Sequence, residues 1–162
     1  MKKYIIGIFL IFIYQFSIAQ ENRKSFDFII NVDAEIAKTL FKPVIIVKKN
    51  GNVLKKIEIG YYPGNLSLST ADYNMIFSEQ ETILFLQFDY YQNSVKGKQE
   101  LYNYEIEMGK NWFEQSYVIL KIYNLDKRKY RKRLEPLSKD RKYTFDLETS
   151  QGQMIRIRKN KK

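Results

Sequence analysis

The densest chemistry in this chain is cationic. Lys127-Arg128-Lys129-Tyr130-Arg131-Lys132-Arg133 places six positive charges in seven residues. Read as an extended segment, Lys127, Lys129, Arg131 and Arg133 share one face, and Arg128, Tyr130 and Lys132 share the other. Such a strip suits phosphates, sulfated sugars or anionic head groups, because charged donors hold oxyanions through short, strong hydrogen bonds. Arg156 and Arg158 continue the theme, and neighbouring final strands would merge the clusters into one positive area. Residues 127–162 hold 14 of the 28 basic residues and only four of the 18 acids. The competing reading is structural: charges on an edge strand block pairing with other chains.

Aromatic side chains form the second group. Tyr61-Tyr62, Tyr90-Tyr91 and Trp112 are candidate contact residues, because exposed rings stack on sugars and anchor protein contacts. Tyr at strand alternation more often buries its ring and wets its hydroxyl. The doublets are different, since one member of each pair must point away from the core. Tyr102 and Tyr104 alternate within one strand pattern.

Carboxylates come third. Glu105 and Glu107 share a strand face at i, i+2, near the roughly 5–9.5 Å separation that glycosidases use. Alternating Glu on an outward face is also ordinary, so no catalytic residue is assigned. Asp33, Glu35 and Asp126 lack any calcium-loop spacing. The chain has no His and no Cys, which removes disulfides, thiolate nucleophiles, imidazole bases and every metal site built on those ligands. No phosphate-cradling glycine loop and no G-x-S-x-G elbow is present. A hydrolase built on carboxylates or on a Ser–Lys pair is kept as an alternative. No metal and no cofactor are expected, and the balance favours a non-enzymatic protein.

Residues 1–19 carry Lys2 and Lys3, then an apolar run from Tyr4 to Phe16, then Ser17-Ile18-Ala19. That order predicts a bacterial secretory signal peptide cut after Ala19. The run is shorter than the roughly 20 apolar residues of a spanning helix, so no transmembrane segment is expected after cleavage. Removing two lysines with the leader turns the net charge of +10 into +8. The expected destination is the periplasm or the exterior. Export argues against a nucleic-acid partner and for an envelope protein or an anionic or glycan ligand.

The elements that must position these residues read as strands. Residues 20–162 make one domain. Phe26, Phe28, Ile30 and Val32 alternate, as do Leu84, Leu86, Phe88 and Tyr90. So do Tyr102, Tyr104, Ile106 and Met108, and again Tyr143, Phe145 and Leu147. Val44 to Val47 and Tyr117 to Tyr123 are apolar on nearly all positions and read as central strands. Asn50-Gly51 predicts a hairpin turn that leads into Val53, Lys55, Ile57 and Ile59 on one face. Ser69, three residues before Asp72, predicts a capped helical turn over 71–77. Residues 33–41 offer a short helix with Asp33 as cap, or a strand-linking loop. About eight or nine strands without crossover helices predict an all-β, single-domain antiparallel β-sandwich, immunoglobulin-like in general form. A closed antiparallel β-barrel of lipocalin type, carrying an apolar ligand, is the alternative.

Overall fold

A computed structural model describes residues 22–93 and 98–154. Residues 1–19, expected to form a leader, and Arg156 and Arg158 lie outside the described residues. Within them the chain is an all-β sandwich, and none of its sheets closes into a barrel. One sheet runs β12 (Gly152–Met154), β11 (Tyr143–Thr149), β10 (Val118–Asn124), β2 (Phe28–Val32) and β3 (Glu35–Ile36). The second runs β5 (Asn52–Glu58), β4 (Phe41–Lys49), β8 (Thr82–Asn93) and β9 (Gln99–Met108). A small third sheet joins β1 (Arg23–Phe26), β7 (Asn65–Ser69) and β6 (Gly60–Tyr62). The twelve strands of the described residues exceed the expected count because the run Phe26 to Val32, expected as one strand, divides into β1 and β2 in different sheets, and because β3 and β6 are too short to carry a period-two signal. All pairs are antiparallel except β2 with β10, which are parallel.

The alternation seen in the sequence fills one core. Phe28, Ile30 and Val32 from β2 meet Val118, Leu120 and Ile122 from β10 and Tyr143, Phe145 and Leu147 from β11. Leu84, Leu86, Phe88, Tyr104, Ile106 and Met108 supply the facing sheet. As expected, β4 and β10 are internal to their sheets. The Asn50-Gly51 turn has φ of 50° and 80°, the positive pair that a two-residue hairpin needs. The expected face along β5 is interrupted. A bulge beside Val47 and Lys48 shifts the register, so Ile57 is buried while Val53 is half exposed.

The capped helix is present as α1 (Thr70–Ser78). The Ser69 hydroxyl accepts the Asp72 N–H at 3.0 Å and donates to the Asp72 carboxylate at 2.7 Å. Burial pushes the Asp72 carboxyl up, but Lys55 and Ser69 outweigh it and hold the group below its ordinary range. By contrast, 33–41 is neither a helix nor a plain loop. Asp33 and Ala34 form a two-residue turn between β2 and β3, with φ of 56° and 74°. Ile36 is exposed, while Ala37 and Leu40 enter the core, so the helical stripe does not form.

The Asp33 turn is held by a buried polar network. Asp33 accepts the Asn124 backbone N–H and the Asn124 side-chain amide, both at 2.8 Å. Lys127 Nζ lies 2.9 Å from the same carboxylate. Asn124 also donates to Gln92 at 2.8 Å and accepts the Tyr104 hydroxyl at 2.7 Å. The cluster therefore ties β8 and β9 of one sheet to β10 and the β2–β3 turn of the other.

Two substitutions test this join by urea unfolding. Asn124→Leu leaves Asp33, Gln92 and Tyr104 each short of a buried partner, and should cost about 3 kcal/mol or more. Ala34→Gly removes the Cβ from a left-handed residue and should stabilise the fold by about 1 kcal/mol. A neutral Asn124→Leu, or a destabilising Ala34→Gly, would contradict the assigned roles.

Candidate functional site

The chemistry-bearing residues gather around two neighbouring features, a basic turn and a groove along the edge of β9. The basic stretch is not an extended strip. Lys127 caps a single helical turn, α2 (Arg128–Arg131), and its carbonyl accepts the N–H groups of Tyr130 and Arg131 at 3.0 and 3.1 Å. Lys and Arg, six of the seven residues, are good helix formers. Lys127 is spent inside the protein on Asp33, whose side chain is 1% exposed. Arg128, Lys129, Arg131, Lys132 and Arg133 are exposed. The turn is anchored on both sides. Tyr130 packs against Tyr123 with ring centroids 5.1 Å apart, and Leu134 is buried. The hydrogen bond between Lys129 and Tyr130 holds the Lys129 ammonium above its ordinary range.

The groove has a volume of about 660 Å³ and lies between β9 and the segments 124–126 and 140–143. Tyr104 and Asn124 line it, so the network that joins the sheets also forms its wall. Tyr102 and Tyr104 lie nearly parallel, with centroids 6.4 Å apart. Glu100, Glu105, Asp126 and Asp140 bring carboxylates to it, against Arg141 and Lys142. Glu105 has cations nearby, Lys48 at 3.3 Å and Arg141 at 3.9 Å. Among the described residues, Glu100, Asp126 and Asp140 have no cation at ion-pair distance.

One backbone feature stands out. β9 ends its sheet and is paired on one side only, with β8. At Glu105 the free side is closed by Tyr143. The Tyr143 hydroxyl accepts the Glu105 N–H at 2.9 Å and donates to the Glu105 carbonyl at 2.6 Å. Arg141 donates to the same carbonyl. Since both backbone groups of Glu105 face away from β8, antiparallel alternation turns those of Asn103, Leu101 and Gln99 the same way.

The aromatic candidates separate. Tyr62 and Tyr91 are exposed, as one member of each doublet had to be. Tyr91 meets Phe41 edge-on at 4.9 Å. Tyr61 turns inward and its oxygen accepts the Ile30 N–H at 3.0 Å. Tyr90 is half-buried. Trp112, expected as a contact residue, is a correction. It sits in a 3-10 turn (Lys110–Glu114), 7% exposed and against Phe28 in the core. Turn geometry, which sequence periodicity does not register, buries both Trp112 and Phe113.

Glu105 and Glu107 do share the outward face of β9. Glu105 is engaged by Lys48 and Arg141. Asp33 is committed to Asn124 and Lys127. Among the described residues no group of three acids is placed to hold a metal ion, and no Ser hydroxyl bonds a Lys amine. The signal that the sequence reading missed was Tyr143 opposite Glu105, a pairing 38 residues apart. No family model, curated protein or solved structure matches the chain.

Burial pushes up the hydroxyl pKa values of Tyr104 and Tyr143, and burial with the hydrogen bond to Glu100 takes Tyr102 up to about 12. A raised pKa contributes stability that is full below the unfolded value near 10 and is lost as pH rises through the folded value. The urea midpoint should therefore hold to about pH 9.5 and fall between about pH 10 and 12. Tyr102→Phe should fall less steeply than the wild type over that range, and parallel curves would refute the assignment.

Proposed function

We propose that this chain is an exported, non-enzymatic binding module of the bacterial cell envelope, working in the periplasm or outside the cell. Its main contact surface is the cationic turn formed by Arg128, Lys129, Arg131, Lys132 and Arg133, and its ligand is an anionic polymer or head group. The single observation behind this reading is that the turn is anchored. Lys127 on Asp33, Tyr130 on Tyr123 and the buried Leu134 hold it, so exposed cations stand on a fixed base. Charges fixed in place lose less freedom on binding than charges on a loose tail. Arg156 and Arg158 belong to the same reading through the sequence alone.

The leader pattern at residues 1–19 supports export, and the absence of His and Cys from the sequence supports a role without imidazole or thiol chemistry. The expected envelope partner is then a surface or polymer rich in phosphate, sulfate or carboxylate.

Retention of the mature protein on heparin resin tests the reading. Changing Arg128, Lys129, Lys132 and Arg133 to Gln together should move elution to clearly lower salt, since each lost phosphate-like contact flattens the salt dependence. Lys127 is left intact because it serves the fold. Identical elution of the two proteins would sink the proposal.

A further inference from the structure

We infer that the open edge of β9 from Gln99 to Asn103 is a docking site for an extended cationic segment of a partner protein, which adds there as a fifth strand. This surface is separate from the cationic turn, and the inference does not depend on it.

Three observations meet at this edge. The backbone groups of Leu101 and Asn103 point away from β8 toward the groove, and main-chain pairing with an added strand is what such groups offer. The edge is closed at one end only, where Tyr143 takes both backbone groups of Glu105. That closure sets how far an added strand can run. The side chains around the open part then specify the occupant. Four carboxylates, Glu100, Glu105, Asp126 and Asp140, line the groove against two cations, Arg141 and Lys142, and Arg141 lies at Glu105, so the surplus along the open part favours positive charge. On the other face of β9, Leu101 is 52% exposed, and its pairing partner Tyr91 packs edge-on against Phe41. Successive residues of an added strand would alternate between these two environments. The occupant is therefore an extended segment in which Lys or Arg alternates with apolar residues.

The overall charge of the protein does not prevent this. Screening over roughly 8 Å at physiological salt leaves the local carboxylates to decide.

The probe is a capped, fluorescent eight-residue peptide alternating valine and arginine, with a valine–glutamate peptide as control. The mature chain should bind the first and not the second in anisotropy titrations. Leu101→Pro removes an outward N–H without removing a bond to β8, so it should fold normally and weaken binding at least tenfold. A second variant, Glu100→Gln with Asp126→Asn and Asp140→Asn, keeps the shape and should weaken binding similarly. Absence of binding, equal binding of the acidic peptide, or wild-type affinity in Leu101→Pro would each overturn the inference. Binding only by a chain lacking residues 155–162 would give the site to this chain's own terminus. Self-association lost in Leu101→Pro would give it to a second copy. Heparin retention should be unchanged in Leu101→Pro, which alters no charge, so the two readings fail separately.

Discussion

The buried carboxylate of Asp33 is the constraint on which this end of the molecule depends. A charge taken out of water is costly unless it is paired and hydrogen-bonded. Here it accepts two bonds from Asn124 and lies 2.9 Å from Lys127. Asn124 passes the connection on to Gln92 and Tyr104 in the opposite sheet. Apolar packing between two sheets tolerates sliding, because dispersion has little directionality. A polar cluster in which one amide serves three partners does not. It fixes the relative position of β8, β9 and β10, and it holds Ala34 in a left-handed conformation that an L-residue rarely adopts.

Both candidate surfaces inherit their geometry from this cluster. Lys127 is at once the partner of Asp33 and the cap of α2, so the basic turn starts from a fixed point. Tyr104 and Asn124 are at once members of the cluster and part of the groove lining. A change in the cluster would therefore disturb two surfaces that share no exposed residue.

Much of the fold was legible because it rests on local rules. Alternation placed Phe28, Ile30 and Val32 inside, Asn-Gly marked its hairpin, and Ser69 with Asp72 marked the start of α1. These signals are contained within a few residues. The β2–β3 turn was not legible because Asp-Ala lacks the glycine that announces such a turn, and it is stabilised by Asn124, 91 residues away. The basic stretch was read as extended because charge pattern says nothing about backbone. Its helical turn follows from an anchor at Tyr123, just before it in the chain, and one at Asp33, which is distant in sequence. Trp112 was assigned outward for a similar reason: a five-residue 3-10 turn has no period to detect. The groove was invisible for the strongest reason of all. It depends on which strand ends a sheet, and strand order is a property of the whole chain.

The two surfaces meet in sign as well as in position. Asp126 lines the groove, and the next residue opens the cationic turn. Opposite charges this close fall within one screening length, so their fields largely cancel at a distance. Long-range steering of either partner is therefore weak, and discrimination has to arise at contact. That places the weight on rigid presentation, which the Asp33 cluster provides to both surfaces. It also limits nonspecific attraction. A chain with this net charge would otherwise adhere to any polyanion in its compartment. With carboxylates beside the turn, an anionic ligand that overreaches toward the groove meets repulsion, and a cationic segment that overreaches toward the turn meets the same. On the proposed reading, the boundary between Asp126 and Lys127 divides an anion-binding surface from a cation-binding one on one small sandwich.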